Sequence, residues 1–331
     1  MTSPAAAPSR TGQGGAYVSR HAPVFLLAPA RSCSTVCLAL LAGHPGLYGF
    51  PELLAFEHPA IADLLAERDS RPEWPPAWSR QRLRGVCRAI AQVHESTQDE
   101  AAIGRARGWL DSRAGWTGAQ LLDHLLDEVA PRTGLEKSPE TSATDRALAS
   151  CLAAFPRARF IHLTRHPADT QRSMRQHWSA LGPPWEGAVL AAHCASAWYL
   201  SHLRIMRALD KLAPERWIRI RAEDLLRDPH ARLPAILDWL GLGCSTAVID
   251  TMLQTERWPF AGQSGSRRAG QADRARQAGR AGGGDPKFLA APWLRPPARP
   301  GPVTYEPELG FPAEMQRRMT ELARQLGYCG G

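Results

Sequence analysis

The stretch PVFLLAPARSCSTVCLALLAG, residues 23–43, joins two apolar runs through a polar turn. Residues 24–27 are typical of a buried parallel strand, because four consecutive apolar residues leave no side for solvent. The second run has helical spacing, with Ser34 or Thr35 as the expected N-cap. A strand that enters a helix this way directs backbone N–H groups and the positive end of the helix dipole at one place. We interpret the turn as an anion-binding loop with Arg31 as its positive charge; an ordinary turn that binds nothing is the alternative.

The composition indicates a large α/β protein with an anionic partner. A chain of 331 residues with 44% hydrophobic residues can bury a sizeable core. The formal net charge of +8 favours nucleic acid, a membrane surface or a phosphorylated small molecule as partner. However, only Lys137, Lys211 and Lys287 are lysines, and the arginines are scattered along the chain. This distribution argues against nucleic acid and membrane, and favours a small anion.

The cysteines and the start of the chain indicate a cytoplasmic protein. Seven cysteines without a C-x-x-C pair argue against a disulfide framework and against a zinc site. Residues 1–21 are rich in Ala, Pro, Ser and Gly and lack the apolar core of a secretion signal, so we predict a disordered tail. No segment approaches the length of a membrane span. The single domain is expected over residues 22–328.

Two long segments are expected to cover the sheet. Residues 57–130 are predicted to be mostly helical, with amphipathic stretches at 57–69, 77–96 and 116–130 that are separated by the Pro and Trp cluster at 72–78 and by the stretch 104–115. They form a helical insertion on the substrate side. Residues 260–302 are rich in Gly and Arg and show no core element, which is typical of a functional loop or lid.

Two further strand ends carry candidate binding residues. Lys137 follows a short strand and precedes a Ser-Pro turn, after which Thr141 or Ser142 is expected to cap a helix. Arg165 ends another apolar strand, and Ser173 lies eight residues later, about two turns into the next helix. Ligands bind at the carboxyl ends of strands in open α/β sheets, so these side chains are expected at one edge of the sheet.

Several separate motifs resemble those of the sulfotransferases that use 3′-phosphoadenosine 5′-phosphosulfate. The loop PARSCST, residues 29–35, is similar to the P-x-R-S-G-S/T-S/T loop of one branch, and LTRHPADTQRS, residues 163–173, matches a second signature. Weaker similarities lie in GLYGFPELL at 46–54, LEKSP at 135–139, RAEDLLRDP at 221–229 and GGGDPKFL at 282–289. Each motif alone is weak or moderate, but their order and spacing are specific.

The resemblance implies a P-loop NTPase-like three-layer fold with a central parallel sheet flanked by helices. It implies that the loop, by Ala30, Arg31, Ser32, Cys33, Ser34 and Thr35, binds the 5′-phosphosulfate of the donor. It also implies that Arg165 and Ser173 bind the 3′-phosphate. Two anionic groups at opposite ends of one nucleotide need two cationic sites, which agrees with this assignment.

The reaction implied is transfer of a sulfuryl group to a hydroxyl or amine. Glu52 is the candidate base, because it matches a carboxylate that several branches carry after the first helix. A helix-capping role for Glu52 is the alternative, and His58 and His94 are alternative bases. Arg31 and Lys137 would stabilise charge on the leaving phosphate. No metal is expected, since these cations can replace it.

Cys33 departs from the family pattern, which usually has glycine there. If the backbone needs a positive φ at this position, a residue with a Cβ is strained. Its thiol is interpreted as a small filler and not as a nucleophile.

The acceptor could be a small molecule, a glycan, a lipid or a group held on a carrier protein; the oligomeric state is not predicted. A P-loop kinase that uses ATP and magnesium, and a non-catalytic anion-binding protein on the same fold, remain open alternatives at this point.

Overall fold

A computed structural model describes residues 17–70, 76–181, 186–261, 282–295, 297, 303 and 313–328. Residues 262–281, 296 and 298–302 of the expected lid lie outside the described residues, as do residues 1–16 of the expected tail. Within the described parts of the chain, no helix combines the length and apolarity that crossing a bilayer requires.

Five parallel strands form the central sheet. They are β1 (Val24–Leu27), β2 (Leu47–Gly49), β3 (Thr133–Glu136), β4 (Arg159–Thr164) and β5 (Trp217–Arg221), in the order β2-β3-β1-β4-β5. Val24 is in register with Leu135 on one side and with Arg159 on the other. β1 therefore lies in the middle of the sheet, and every side chain of β1 is buried as its apolar sequence predicts.

Helices flank the sheet and build the rest of the fold. They are α1 (Ser34–Ala42), α2 (Ile61–Ser70), α3 (Pro76–Glu95), α4 (Glu100–Asp111), α5 (Gly118–Val129), α6 (Asp145–Ala154), α7 (Pro167–Leu181), α8 (Gly187–Leu209), α9 (Ala222–Arg227), α10 (Pro229–Leu240), α11 (Thr246–Met252), α12 (Pro286–Ala290) and α13 (Ala313–Gln325). Short 3₁₀ turns lie at Pro139–Ser142, Pro214–Arg216 and Thr255–Arg257. The predicted α/β fold, with a central parallel sheet flanked by helices, is confirmed.

Aromatic side chains fill the core around the central strand. Phe25 of β1 stacks on Phe160 of β4 with ring centroids 5.8 Å apart, and it meets Phe155 edge-on at 5.6 Å. All three side chains are fully buried. Such offset and edge-to-face contacts are favourable beyond the apolar area that they bury. These contacts therefore fix β1, the strand that leads into the loop before α1.

Two local predictions differ from the structure. The interval 104–115 was expected to separate helices, but most of it belongs to α4, which begins after Asp99, whose carboxylate accepts the Ala102 N–H at 2.8 Å. Its glycines face open space, so they weaken the helix without breaking it. The cap of α6 is Thr144, because the preceding Pro139–Ser142 segment forms a 3₁₀ turn.

Residues 17–21 of the predicted tail and residues 282–295 of the predicted lid lie within the described part of the chain. Tyr17 donates a hydrogen bond to Asp123. Ser19 is buried, and its backbone N–H donates to the carbonyl oxygen of Ala154 at 2.8 Å. Residues 17–21 therefore pack on the protein. At the other end, α12 contributes the buried side chains of Phe288 and Leu289 inside the segment expected to lack a core element.

Candidate active site

The loop between β1 and α1 has two left-handed residues. Arg31 has φ 66° and Cys33 has φ 62°. The backbone at Cys33 thus takes the conformation that glycine adopts without strain. Burial raises the pKa of the Cys33 thiol, which keeps it protonated and agrees with a filler role.

Cys33 is also the N-cap of α1, so the expectation that Ser34 or Thr35 caps this helix is wrong. Both are buried in its first turn, and the Cys33 side chain makes no capping hydrogen bond. Without a cap, the N–H groups of the first turn are left for a ligand, and the helix dipole favours an anion there.

A buried lysine connects this loop to the candidate base. Lys137 follows β3, and its side chain is only 2% exposed. Its ammonium group donates to Thr35 Oγ1 at 3.0 Å and to Glu52 Oε1 at 2.5 Å. Residues that follow three neighbouring strands, β1, β2 and β3, are thereby joined through one cation. Leu53 and Leu54 are not in a helix, so the alternative that Glu52 caps a helix is wrong.

Arg31, Arg165 and Ser173, which the resemblance assigns to the two ends of the donor, contact one another in the structure. Arg31 Nε donates to Ser173 Oγ at 3.2 Å, and Arg165 Nη1 donates to the carbonyl oxygen of Arg31 at 2.7 Å. The side chain of Arg31 therefore points towards α7, where it joins Arg165 and Ser173 in one cluster. In this arrangement the cluster could contact anionic groups on either side of the loop.

The segment just before α12 closes over the loop. Asp285 Oδ1 accepts from Arg31 Nη1 at 2.8 Å, and the Asp285 N–H donates to Thr35 Oγ1 at 3.0 Å. The N–H of Glu52 donates to the carbonyl of Gly283 at 2.9 Å. The sequence predicted a functional loop or lid here but gave no role to Asp285. The motif GGGDPKFL was the signal that could have identified it.

A cavity of about 700 Å³ opens beside these residues. Six predicted site residues line it: Ala30, Arg31, Cys33, Ser34, Thr35 and Glu52. Lys137, Arg165 and Ser173 lie behind that wall and reach it through their bonds to the loop and to Glu52. Ser32 is fully buried, and its hydroxyl has no hydrogen-bond partner within the described structure.

The opposite wall of the cavity comes from the helical insertion and from α7 and α8. Its apolar part contains Met174, Trp178, Ala197 and Leu200. Its charged part centres on Arg82, which is bonded to the carboxylates of Glu57 and Glu140. Burial raises the pKa of Glu140 to about 7. This wall offers both apolar and charged contacts to an acceptor.

Two histidines on the cavity wall were missed, and the two predicted ones lie elsewhere. His177 and His193 line the cavity; His177 follows Ser173 by one helical turn, a spacing that could have revealed it. Burial, aided by Arg31, lowers the pKa of His177, so its imidazole is neutral at pH 7 and can accept a proton.

The predicted alternatives His58 and His94 are not among the described residues that line the cavity. The Nε2 atom of His94 instead lies 2.9 Å from the Nε2 atom of His124. Of the two histidines that line the cavity, His177 is the one close enough to Arg31 for its pKa to be affected.

Comparison with known proteins gives the class of this molecule. Residues 23–245 match the profile of the Sulfotransferase family. This match covers more than half of the chain, and the chain belongs to that family; it is a sulfotransferase. No curated protein sequence matches significantly.

Solved structures agree on the fold. The chain is similar to the sulfotransferase domain from the Synechococcus PCC 7002 olefin synthase, with 23% identity, a TM-score of 0.68, and coverage of 96% of this chain and 99% of that one. It is also similar to the sulfotransferase domain from the curacin biosynthetic pathway, with 23% identity, a TM-score of 0.65, and coverage of 95% and 100%. The family favours the sulfotransferase hypothesis over the kinase and over the non-catalytic protein.

Proposed function

We propose that this sulfotransferase uses 3′-phosphoadenosine 5′-phosphosulfate as donor and transfers its sulfuryl group to a hydroxyl or amine that enters the cavity beside Glu52. The observation that carries the proposal is the contact of Lys137 with both Thr35 and Glu52. One cation can thereby stabilise the charge on the leaving phosphate and hold the proton acceptor next to the point of transfer.

The residues present fit the donor. The uncapped start of α1 and the left-handed turn before it suit the 5′-phosphosulfate, and Arg31 supplies a guanidinium that is 8% exposed. Arg165 and Ser173, on the neighbouring strand end and helix, suit the 3′-phosphate. The prediction that no metal is needed stays a prediction.

The proton acceptor is proposed to be Glu52, with His177 as the second candidate. Both line the cavity. A carboxylate bound to a buried lysine is held in a fixed position, which favours catalysis. His177, a neutral histidine near Arg31, could also accept the proton. Glu52 and His177 are therefore tested by separate variants.

The first experiment asks whether the donor product binds. Adenosine 3′,5′-bisphosphate should raise the melting temperature of the wild-type protein, and magnesium-ATP should not compete with it. No thermal shift with the bisphosphate would contradict the proposal.

The second experiment asks which residue takes the proton. Turnover is measured with labelled donor against a panel that contains a phenol, a long-chain alcohol, a sugar and a hydroxyacyl group on a carrier protein. The last is included because the two similar structures are described as sulfotransferase domains, one from an olefin synthase and one from a biosynthetic pathway. Glu52→Gln should lower turnover about 100-fold or more and leave bisphosphate binding intact. Loss of turnover in His177→Asn alone would assign the base to His177 instead.

A further inference from the structure

The end of β3 and the turn after it hold two buried polar residues that the proposed chemistry does not use. Glu136 is 1% exposed and Ser138 is 2% exposed. The Ser138 hydroxyl accepts the N–H groups of Leu53 at 3.1 Å and Leu54 at 3.0 Å, and it donates to Glu136 Oε1. The hydrogen-bonding capacity of this hydroxyl is thus well used, and all of its partners are buried.

Glu136 can accept the hydrogen bond from the Ser138 hydroxyl whether its carboxyl group is ionised or protonated. Burial raises the pKa of Glu136 to about 7. A carboxylate and a carboxylic acid each offer an oxygen that can accept. The contact between Glu136 and Ser138 is therefore preserved on both sides of neutral pH.

The two N–H groups belong to the turn that carries Glu52. Leu54 has φ 57°, a left-handed conformation that a leucine holds only where the surroundings impose it. The preceding N–H, that of Glu52, donates to the carbonyl of Gly283. Three consecutive N–H groups are therefore each fixed from outside the turn, two of them by Ser138.

The same short segment also holds the side chain of Glu52. Lys137 lies between Glu136 and Ser138 in sequence and bonds the Glu52 carboxylate. Lys137 thus orients the carboxylate, while Ser138 fixes the backbone from which this side chain extends. A shift of that backbone would move the carboxylate away from the cavity even with Lys137 intact.

We propose that Ser138, supported by Glu136, is a positioning residue for sulfuryl transfer: its hydroxyl fixes the 52–54 turn so that the Glu52 carboxylate faces the reacting group. The inference rests on the proposed function, because it assigns to Glu52 the role of proton acceptor. A purely structural role would predict lower stability without a selective loss of turnover.

The test compares Ser138→Ala with Thr141→Val. Thr141 is buried in the neighbouring 3₁₀ turn, and its hydroxyl has no hydrogen-bond partner among the described residues, so it is a matched control. Turnover is measured with the acceptor of the panel that the wild type uses fastest, and binding with adenosine 3′,5′-bisphosphate. Ser138→Ala should lower kcat roughly 10- to 100-fold, the range expected for a displaced catalytic group. Bisphosphate affinity should stay at the wild-type level, and Thr141→Val should change neither quantity.

Three further measurements separate positioning from general damage. Ser138→Thr, which keeps the hydroxyl group, should recover most of kcat. In a Glu52→Gln background, Ser138→Ala should cause little additional loss, because the positioned group is already absent. Amide exchange in a peptide that contains residues 52–54 should be faster in Ser138→Ala and unchanged in Thr141→Val.

Equal kcat in Ser138→Ala and Thr141→Val would overturn the inference, as would a parallel loss of bisphosphate affinity and kcat. Additive losses in the double variant would also overturn it. If the wild type fails to bind the bisphosphate, the proposed function itself fails, and this result is distinct from the other three.

Discussion

Cys33 is a residue whose conformation conflicts with its side chain. The sequence identified the conflict, because the family pattern has glycine there, and the structure gives this position φ 62°. A left-handed conformation costs a residue with a Cβ about 1–2 kcal/mol. The side chain is partly buried, so some packing offsets that cost.

Comparison of Cys33→Gly with Cys33→Ala isolates the strain. Both remove the thiol, and only alanine keeps the Cβ. We expect Cys33→Gly to be more stable than Cys33→Ala by about 1 kcal/mol in chemical denaturation. At an ordinary helical site such as the exposed Ala101, glycine should be less stable than alanine by about 1 kcal/mol. A stability difference between the glycine and alanine variants that has the same sign at both positions would contradict the strained conformation at Cys33.

Two buried histidines make the fold sensitive to acid. His162 of β4 and His202 of α8 are 2.9 Å apart, and Arg219 donates to His162 Nδ1. Burial lowers the pKa of His202 to about 3 and lowers the pKa of His162 well below 6.5. Both are neutral in the folded state, whereas the unfolded chain binds protons near pH 6.5. Stability should therefore be lost as pH falls below about 6.5.

The predicted loss can be measured as a difference between variants. Each such histidine contributes a slope of up to about 1.4 kcal/mol of unfolding free energy per pH unit. Between about pH 6 and about pH 4, the unfolding free energy of His202→Gln should change less steeply with pH than that of the wild type. The same substitution at the exposed His230 should leave the slope unchanged. An unaltered slope in His202→Gln would show that the pair does not govern the acid response.

At the scale of elements, the sequence predicted the strands better than it predicted what covers them. Apolar runs identified the central strands because burial on both faces leaves a simple pattern. The break expected at Gly104 was wrong, since an exposed glycine weakens a helix without ending it. Asp285 was missed because it meets Arg31 across 254 residues of sequence, a contact that no local pattern encodes.

The packing of α3 on the segment before α12 can be tested through one glycine. A Cβ on Gly85 would lie 2.4 Å from the Cα of Gly283, so Gly85→Ala must push residues 282–285 away from the loop. We expect a weaker thermal shift with adenosine 3′,5′-bisphosphate, because Asp285 and Gly283 leave their positions beside Arg31 and Glu52.

Gly104→Ala provides the control for this substitution. Gly104 lies on α4 with nothing within 4 Å of the added Cβ. There alanine should stabilise the protein by about 1 kcal/mol and leave bisphosphate binding unchanged. Equal bisphosphate binding by the two variants would mean that the 282–285 segment does not shape the site.

At the scale of the whole molecule, the strand order explains why distant residues meet. β1 lies between β3 and β4, so Lys137 approaches the loop from one side and Arg165 from the other. The sequence predicted which residues follow each strand, and parallel strands bring those ends to one edge. It could not predict the direction of the Arg31 side chain, because Ser173 and Asp285 decide that direction through contacts made only in the folded protein.

The net charge of +8 leaves open whether the donor is bound by the general charge or by particular arginines. Arg165→Ala and Arg172→Ala remove the same charge, but Arg172 is exposed on α7 and paired with Asp169. Binding of adenosine 5′-phosphate and of adenosine 3′,5′-bisphosphate is compared by calorimetry at fixed salt. The preference for the 3′-phosphate should fall about tenfold or more in Arg165→Ala, the size of one lost charged hydrogen bond, and stay unchanged in Arg172→Ala. Equal losses in both variants would assign the preference to the overall charge and remove Arg165 from the 3′-phosphate site.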